Sequence, residues 1–306
     1  VEINIGEDEN DPVFGVTDLL VHLSGKQLEK KGAVVIEGED LDILIGSRPM
    51  KDSEEKDKVK ANVLRLLKEK YDIEEEDFIS GEIEVVPAGK ARDFGLDRSM
   101  VMAYGQDDRV CAYASLMALL SMEQVMRTSV AVFVDKEEIG SVGASSMGSR
   151  FFENTIAEVM NAMRRYSDIS LRRALAKSKM LSSDVSAAYD PAYASVFEKR
   201  NTAYFGKGVV FNKYTGASND AGAEYVARIR RVMDNSHVAF QMAEMGKVDA
   251  GGGNTIAWIP AAFDMDVIDC GVAVLSMHAP WEITSKADLY EAEKCYEAFL
   301  KTVDWV

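Results

Sequence analysis

Cysteine, histidine and positive charge are scarce in this chain of 306 residues. The three cysteines, Cys111, Cys270 and Cys295, lie far apart and are odd in number, which argues against a disulfide framework and predicts a reducing compartment such as the cytoplasm. No pair of cysteines has the spacing of a thiolate zinc site. Any metal ion must therefore be held by oxygen atoms and imidazole.

Long hydrophobic runs are also missing. The longest nearly apolar stretch, residues 110–122, is shorter than the roughly 18 to 20 residues of a membrane-spanning helix. The 35 Lys and Arg against 51 Asp and Glu give a formal charge of −16, which argues against nucleic acid or an anionic membrane as a partner. With 47% apolar residues, the composition predicts a soluble globular protein of one large or two moderate domains.

Two patterns follow one another along the chain. Residues 1–95 alternate short apolar strands, such as 33–36, 41–45 and one around Ile83 and Val85, with an amphipathic helix that starts after Ser53. From residue 96 onward, longer helices separate the strands, which predicts an α/β fold with a mostly parallel sheet covered by helices on both faces. The predicted strands there are 100–104, 129–134, 209–211 and 267–274, and the predicted helices are 108–126, 151–165, 221–233 and 288–300.

Acidic residues and one histidine follow predicted strands. Asp107 and Asp108 lie where a strand passes into a helix, and Glu137 and Glu138 follow the strand at 129–134. Strand ends in such sheets face the crevice where ligands bind, and two neighbouring carboxylates there need cations to offset their repulsion. The alternatives are that Asp107 or Asp108 caps the helix and that the two glutamates lie on a solvated face.

Asp184 and His278 complete a possible ligand set. Of the three histidines, only His278 directly follows an apolar strand, and mixed carboxylate and imidazole ligation suits zinc, manganese or cobalt. The alternative is a hydrogen-bonded structural histidine. Residues 251–253 (GGG) lack the features of a P-loop or a dinucleotide fingerprint, so they predict a turn near the site. The sequence has no serine nucleophile motif of the G-x-S-x-G kind.

The segments around these residues and two further segments form six motifs, which follow one another along the chain in this order: 105–109 (GQDDR), 135–141 (DKEEIGS), 183–191 (SDVSAAYDP), 206–216 (GKGVVFNKYTG), 246–253 (GKVDAGGG) and 277–282 (MHAPWE). Together they resemble the M18 family of metallo-aminopeptidases, and most closely its bacterial and vacuolar aminopeptidase I branch, a relative of aspartyl aminopeptidase. The resemblance covers nearly the whole chain. It implies a zinc-exopeptidase-like catalytic domain at 96–306 and a smaller β-rich dimerisation or lid domain at 1–95.

The resemblance also implies roles for individual residues. Asp107 would bridge two divalent metal ions, with zinc expected and cobalt or manganese as alternatives, while Glu138 and Asp184 would each bind one ion. His278 would bind the ion on the side of Glu138. Glu137 would be the general base that takes a proton from the attacking water during removal of N-terminal amino acids from peptides.

His22 matches a family histidine that reaches into a neighbouring subunit's active site. The resemblance thus implies a homo-oligomer built from dimers, with a dodecamer expected. His237 matches no family motif and is interpreted as structural or at the surface.

Two departures from the family pattern lead us to expect a truncated or incompletely represented chain. The family's opening segment, whose His-x-Asp motif supplies the remaining metal ligand, has no counterpart here, and the loop between Gly216 and Ser218 is shorter than usual. The first residue is Val1 rather than methionine. A dinuclear deacylase or carboxypeptidase, or an inactive assembly subunit, remain as alternative functions at this stage.

Overall fold

The computed structural model describes residues 2–51, 54–213, 221–244, 246–247 and 255–302, apart from the side chain of His22. Ser53, the loop between Gly216 and Ser218 and the turn at 251–253 lie outside these ranges. The chain divides into two compact units, Val1–Lys90 and Ala91–Val306. No helix in the described ranges has the length and apolar character needed to cross a membrane.

The first unit has little regular structure. Its helices α1 (Gly25–Leu28) and α2 (Lys58–Tyr71) accompany one short antiparallel pair, β1 (Gly15–Val16) with β2 (Ile43–Leu44). The described part of this unit is therefore not β-rich, contrary to expectation. None of its described apolar side chains is buried, and residues such as Leu23 (75% exposed) and Ile79 (85%) face solvent.

Several predicted elements of the first unit are wrong in detail. The helix begins at Lys58 rather than after Ser53, because the carboxylate of Asp57 accepts a hydrogen bond from the backbone N–H of Lys60 (3.0 Å) and caps it. Residues 32–34 form a 3-10 turn instead of a strand, and residues 83–85 belong to no described sheet. Alternating apolar residues indicate a segment that could pair, but pairing also needs a neighbouring strand.

The second unit contains two mixed sheets, so its α/β class is confirmed. Most strand pairings are parallel in the four-stranded sheet and antiparallel in the five-stranded one. One sheet has the order β3-β4-β11-β10-β6 and the other the order β5-β9-β7-β8. The strands are β3 (Arg92–Phe94), β4 (Met100–Ala103), β5 (Lys179–Ser183), β6 (Ser186–Ala187), β7 (Val209–Asn212), β8 (Phe240–Ala243), β9 (Asp266–Gly271), β10 (Ala273–Leu275) and β11 (Glu282–Ser285). The helices are α3 (Gln106–Leu120), α4 (Phe151–Ala162), α5 (Asp168–Ala176), α6 (Ala223–Asn235), α7 (Trp258–Ala261) and α8 (Lys286–Lys301).

Two neighbouring segments run through both sheets. Strand β5 continues into β6, and β9 continues into β10, with parallel pairing of β5 to β9 and of β6 to β10. Between them, the backbone N–H groups of Asp184 and Ser186 donate to the carbonyl oxygens of Cys270 (3.0 Å) and Val272 (2.9 Å). The predicted strand at 267–274 is therefore two strands, one in each sheet.

Helices cover both faces of β9. Ile268 and Cys270 lie in a buried apolar cluster that includes residues of α3, α6 and α8, whereas Val267 packs with Leu171 and Leu175 of α5. All of these side chains are less than a tenth exposed. This core fixes the ends of the strands, and with them the residues that follow.

Other predictions for this unit were met in part. Helices α3, α4, α6 and α8 and strands β4 and β7 lie where the sequence predicted them, with ends shifted by several residues. The predicted strand at 129–134 belongs to no described sheet, and Val130 and Phe133 are about half exposed. Strands β3, β5, β6, β8 and β11 and helices α5 and α7 were not predicted.

Candidate metal centre

The candidate site lies where three segments of the second unit converge. Strand β4 leads into Asp107 at the start of α3, strand β10 leads towards His278, and β5 leads into Asp184. Glu137 and Glu138 come from a loop with several left-handed residues, including Lys136 and Ser141. The loop is held by the Ser146 hydroxyl, which donates to the carbonyl oxygens of Ser141 (2.7 Å) and Gly143 (2.9 Å).

Asp107 belongs to two groups of potential metal ligands. In the first, its carboxylate, Glu138 and His278 present ligand atoms that all lie within 4.8 Å of one another. The second group consists of Asp107, Asp108 and Asp184 and meets the same limit. A single shared carboxylate between two ligand groups is the arrangement that a bridged pair of ions requires.

The first group is open to solvent on one side. Nε2 of His278 lies 2.9 Å from Oδ2 of Asp107 and 3.3 Å from Oε2 of Glu138. The side chains of His278 and Glu138 are 61% and 58% exposed, whereas that of Asp107 is 7% exposed. A substrate can therefore approach this group without displacing the protein core.

The second group is more enclosed. Oδ1 of Asp108 is buried and has no hydrogen-bond partner among the described residues. The backbone N–H of Val185 donates to Oδ1 of Asp184 at 2.7 Å, and burial is the largest cause of the raised pKa of both Asp108 and Asp184. A buried carboxylate oxygen without a partner is costly, and a bound cation would satisfy it.

Repulsion among carboxylates characterises the whole site. Burial, and then the charge of Glu138, raise the pKa of Asp107 from 3.8 to about 6, although His278 opposes the rise. Burial and the charge of Glu138 likewise raise the pKa of Glu137. Simultaneous ionisation of these carboxyl groups is unfavourable because their negative charges repel one another. Divalent cations would neutralise this charge, so the set of donors suits them.

The structure separates some alternatives at this site. Asp107 and Asp108 have non-helical backbone angles before the regular part of α3, and their carboxylates belong to the ligand groups described above. His278, Asp107 and Glu138 are brought together in the first group, and Asp184 lies in the second. Glu137 is close enough to Glu138 for the charge of Glu138 to raise its pKa. The side chain of His22 is outside the described residues, so its role stays a prediction.

Sequence reasoning missed Asp108 as a potential ligand and Glu282 as a contact of the site. Asp108 was named only as a neighbour and possible cap. Glu282 accepts hydrogen bonds from the backbone N–H groups of Asp107 (2.9 Å) and His278 (2.8 Å). Its position in the 277–282 motif was a signal, but only the fold shows which atoms it contacts.

Fold and site together describe an α/β protein with two neighbouring groups of carboxylate and imidazole side chains that could hold metal ions. The family model for the aminopeptidase I zinc metalloprotease family (M18) matches residues 1–300. The chain thus belongs to the M18 family, and the resemblance in its motifs is confirmed.

Known proteins support the same family. The probable M18 family aminopeptidase 1 of Clostridium acetobutylicum is 62% identical over 305 residues, covering 98% of this chain and 66% of the relative. The crystal structure of an M18 aminopeptidase from Thermotoga maritima matches with a TM-score of 0.90 at 44% identity, over 99% of this chain and 68% of that chain. The dodecamer structure of mApe1 from Saccharomyces cerevisiae shares the fold, with a TM-score of 0.68 at 22% identity over 86% and 60% of the two chains.

The chain thus spans about two thirds of the length of the bacterial relatives that it matches.

Proposed function

We propose that the protein is a metal-dependent aminopeptidase that removes N-terminal amino acids from peptides with two divalent metal ions, zinc by preference. The observation that carries this proposal is the membership of Asp107 in two ligand groups. Asp107 would be shared, His278 and Glu138 would hold one ion, and Asp184 would hold the other. Asp108, with its buried free oxygen, is a further donor for the second group.

The bound ions would lower the pKa of water and stabilise the developing oxyanion. Glu137 is the general base: its carboxylate accepts a proton from the attacking water and passes it to the leaving amine. Its half-buried position raises the pKa of its carboxyl group, which makes it a stronger base than an exposed glutamate. The peptide would approach from the solvent, where the side chains of His278 and Glu138 are exposed. The side chain of Asp107 is almost fully buried and is held in place by its surroundings.

Paired variants test this assignment. The protein, loaded with Zn²⁺, Co²⁺ or Mn²⁺, should hydrolyse anilides of free amino acids and leave N-acylated and C-terminal substrates intact. Glu137→Gln should reduce turnover by about 10²- to 10⁴-fold while metal content stays the same, because it removes the base. Glu138→Gln should lower metal content as well, because it removes a ligand.

Other outcomes would contradict the proposal. Turnover of N-acylated or C-terminal substrates alone would identify a deacylase or a carboxypeptidase. Full activity of Glu137→Gln would refute the general base. Metal binding without any turnover, even after addition of the family's opening segment with its His-x-Asp motif, would favour an assembly subunit.

We further infer that the N-terminal domain, predicted at residues 1–95 and compact over Val1–Lys90, mediates self-association and that the rest of the chain forms the catalytic domain. Exposed apolar side chains such as Leu23 and Ile79 in the first unit support this inference, since large apolar surfaces commonly mark protein interfaces. A second copy of this chain is the proposed occupant, with a dodecamer built from dimers as the complete assembly and His22 contributing to a neighbouring site. Sedimentation equilibrium should detect dimers or larger species, and a monomer at every concentration would refute the inference.

The cytoplasm is the proposed location. The three cysteines are free and buried, as expected of a protein kept in a reducing compartment. Fractionation of cells that express the protein would test this, and recovery from the extracellular medium would contradict it.

A further inference from the structure

One buried carboxylate joins two separate segments of the candidate site. Glu282 is the first residue of β11 and is 2% exposed. Its Oε2 accepts the backbone N–H of Asp107 at 2.9 Å, and its Oε1 accepts the backbone N–H of His278 at 2.8 Å. Each carboxylate oxygen thus holds the backbone of one of two proposed ligands, Asp107 and His278, whose side chains lie 2.9 Å apart.

The topology of the sheet explains how one residue reaches both segments. Strand β11 lies between β4 and β10 and runs antiparallel to each. It starts at the edge where both neighbours end, since Glu282 pairs with Ala103 and Ile283 pairs with Leu275. The first side chain of β11 is therefore placed between the chain that leaves β4 and the chain that leaves β10.

The backbone of Glu282 is itself fixed. The side-chain amide of Gln106 donates to the carbonyl oxygens of Glu282 (2.7 Å) and Val101 (3.0 Å). The hydroxyl of Thr284 donates in turn to the amide oxygen of Gln106. This network leaves the Glu282 carboxylate little freedom to follow a displaced ligand.

His278 needs such a restraint. Its φ of +63° lies in the left-handed region, which residues other than glycine adopt at a cost. The hydrogen bond from its N–H to Glu282 stabilises this conformation, in which Nε2 faces Asp107 and Glu138.

We propose that Glu282 is a positioning residue that fixes the backbones of Asp107 and His278 at the separation that metal binding requires. The proposal rests on the proposed function, because it assigns Glu282 to the support of the same metal centre. Glu282 touches neither substrate nor metal in this role. Its effect should therefore appear in metal affinity and coordination geometry, and not only in folding stability.

Asp288 offers a matched control. It is fully buried, and its two carboxylate oxygens accept the backbone N–H groups of Gly206 (2.8 Å) and Gly208 (2.7 Å). As at Glu282, one buried carboxylate accepts two backbone N–H groups, but the segment that contains Gly206 and Gly208 carries none of the proposed ligands. Glu282→Gln and Asp288→Asn each replace one acceptor oxygen by an NH2 group, which cannot accept a hydrogen bond from a backbone N–H. Both variants should therefore be less stable than the parent.

The decisive measurement is Co²⁺ binding to the purified protein, by competition with a chromophoric chelator and by the visible absorption bands of the bound ion. Glu282→Gln should bind Co²⁺ about 10- to 100-fold more weakly than the parent, with shifted bands, as is usual for residues that orient metal ligands. Asp288→Asn should keep the parent's affinity and bands. Excess Co²⁺ should restore hydrolysis of amino-acid anilides by Glu282→Gln. If Glu282→Gln does not fold, Glu282→Asp, whose shorter side chain cannot reach both N–H groups, should weaken binding in the same way.

The inference is overturned if Glu282→Gln keeps the parent's affinity and bands, or if Asp288→Asn weakens binding equally. Failure of the proposed function would look different, because the parent protein would then bind no Co²⁺ or hydrolyse no anilide.

Discussion

Replacing Asp107 by asparagine should stabilise the protein without metal and abolish its stabilisation by metal. The carboxylate is 7% exposed and lies near Glu138, so its charge is unfavourable when no cation is bound. Asparagine keeps the size and an acceptor oxygen for His278 but removes the charge. The same oxygen is a much poorer metal ligand, and it is the one that both ligand groups share.

The size of the effect follows from the pKa. Its rise from 3.8 to about 6 corresponds to about 3 kcal/mol of unfavourable free energy in the folded state at neutral pH. The pKa of Asp107 is higher in the folded protein than in the unfolded chain. With respect to this group, the free energy of unfolding is therefore greatest below pH 3.8, and it falls as the pH rises through about 6 and the buried carboxyl ionises. The advantage of Asp107→Asn should therefore grow over this interval and then remain constant.

Tryptophan fluorescence suits the assay, because Trp258 and Trp281 lie within the second unit. Urea unfolding would be measured with and without metal, at pH values on both sides of the interval. At a metal concentration of 100 times Kd, the parent should gain about 2.7 kcal/mol and the variant much less.

Three results would refute the reasoning. The variant could be less stable than the parent at pH 7 without metal, its advantage could persist below pH 3.8, or metal could stabilise both proteins equally.

Two further predictions concern packing around the site. In Gly271→Ala, the new Cβ would lie 1.9 Å from the carbonyl oxygen of Asp184, so stability should fall in urea unfolding and metal affinity should fall in a metal titration. Gly208→Ala is the control: its Cβ would lie equally close to the carbonyl oxygen of Ala239, far from the proposed ligands in sequence, and it should lower stability alone. An equal loss of metal affinity in both variants would contradict the local role. Phe211→Ala should cost about 3 to 5 kcal/mol in urea unfolding because the ring is fully buried, whereas Phe151→Ala, with a ring that is 66% exposed, should cost far less.

Much of the fold of the second unit could be predicted from periodicity. Helix α3 contains a long, nearly continuous apolar run, α8 repeats apolar residues at helical spacing, and β7 is a short apolar run, so their local sequences indicate them. Strand β11 carries polar residues at buried positions, Glu282 and Thr284, whose side chains are satisfied by hydrogen bonds from distant segments. Nothing in the local pattern indicates such partners, and the strand was missed for that reason.

The sequence by itself determined the types of ligand available and their order along the chain. Scarce cysteine left oxygen and imidazole as donors, and the motifs around Asp107, Glu138, Asp184 and His278 predicted the family that the comparisons confirm. These are chemical properties of residues, which can be recognised without knowing their neighbours.

Only the tertiary structure decided which side chains meet. It made Asp107 common to two ligand groups, added Asp108 to the second, and placed Glu282 between Asp107 and His278. It also left residues 129–134 outside the described sheets despite their strand-like pattern. The physical reason is that strand pairing, burial and the mutual repulsion of carboxylates depend on contacts between residues far apart in the chain, which a local pattern does not specify.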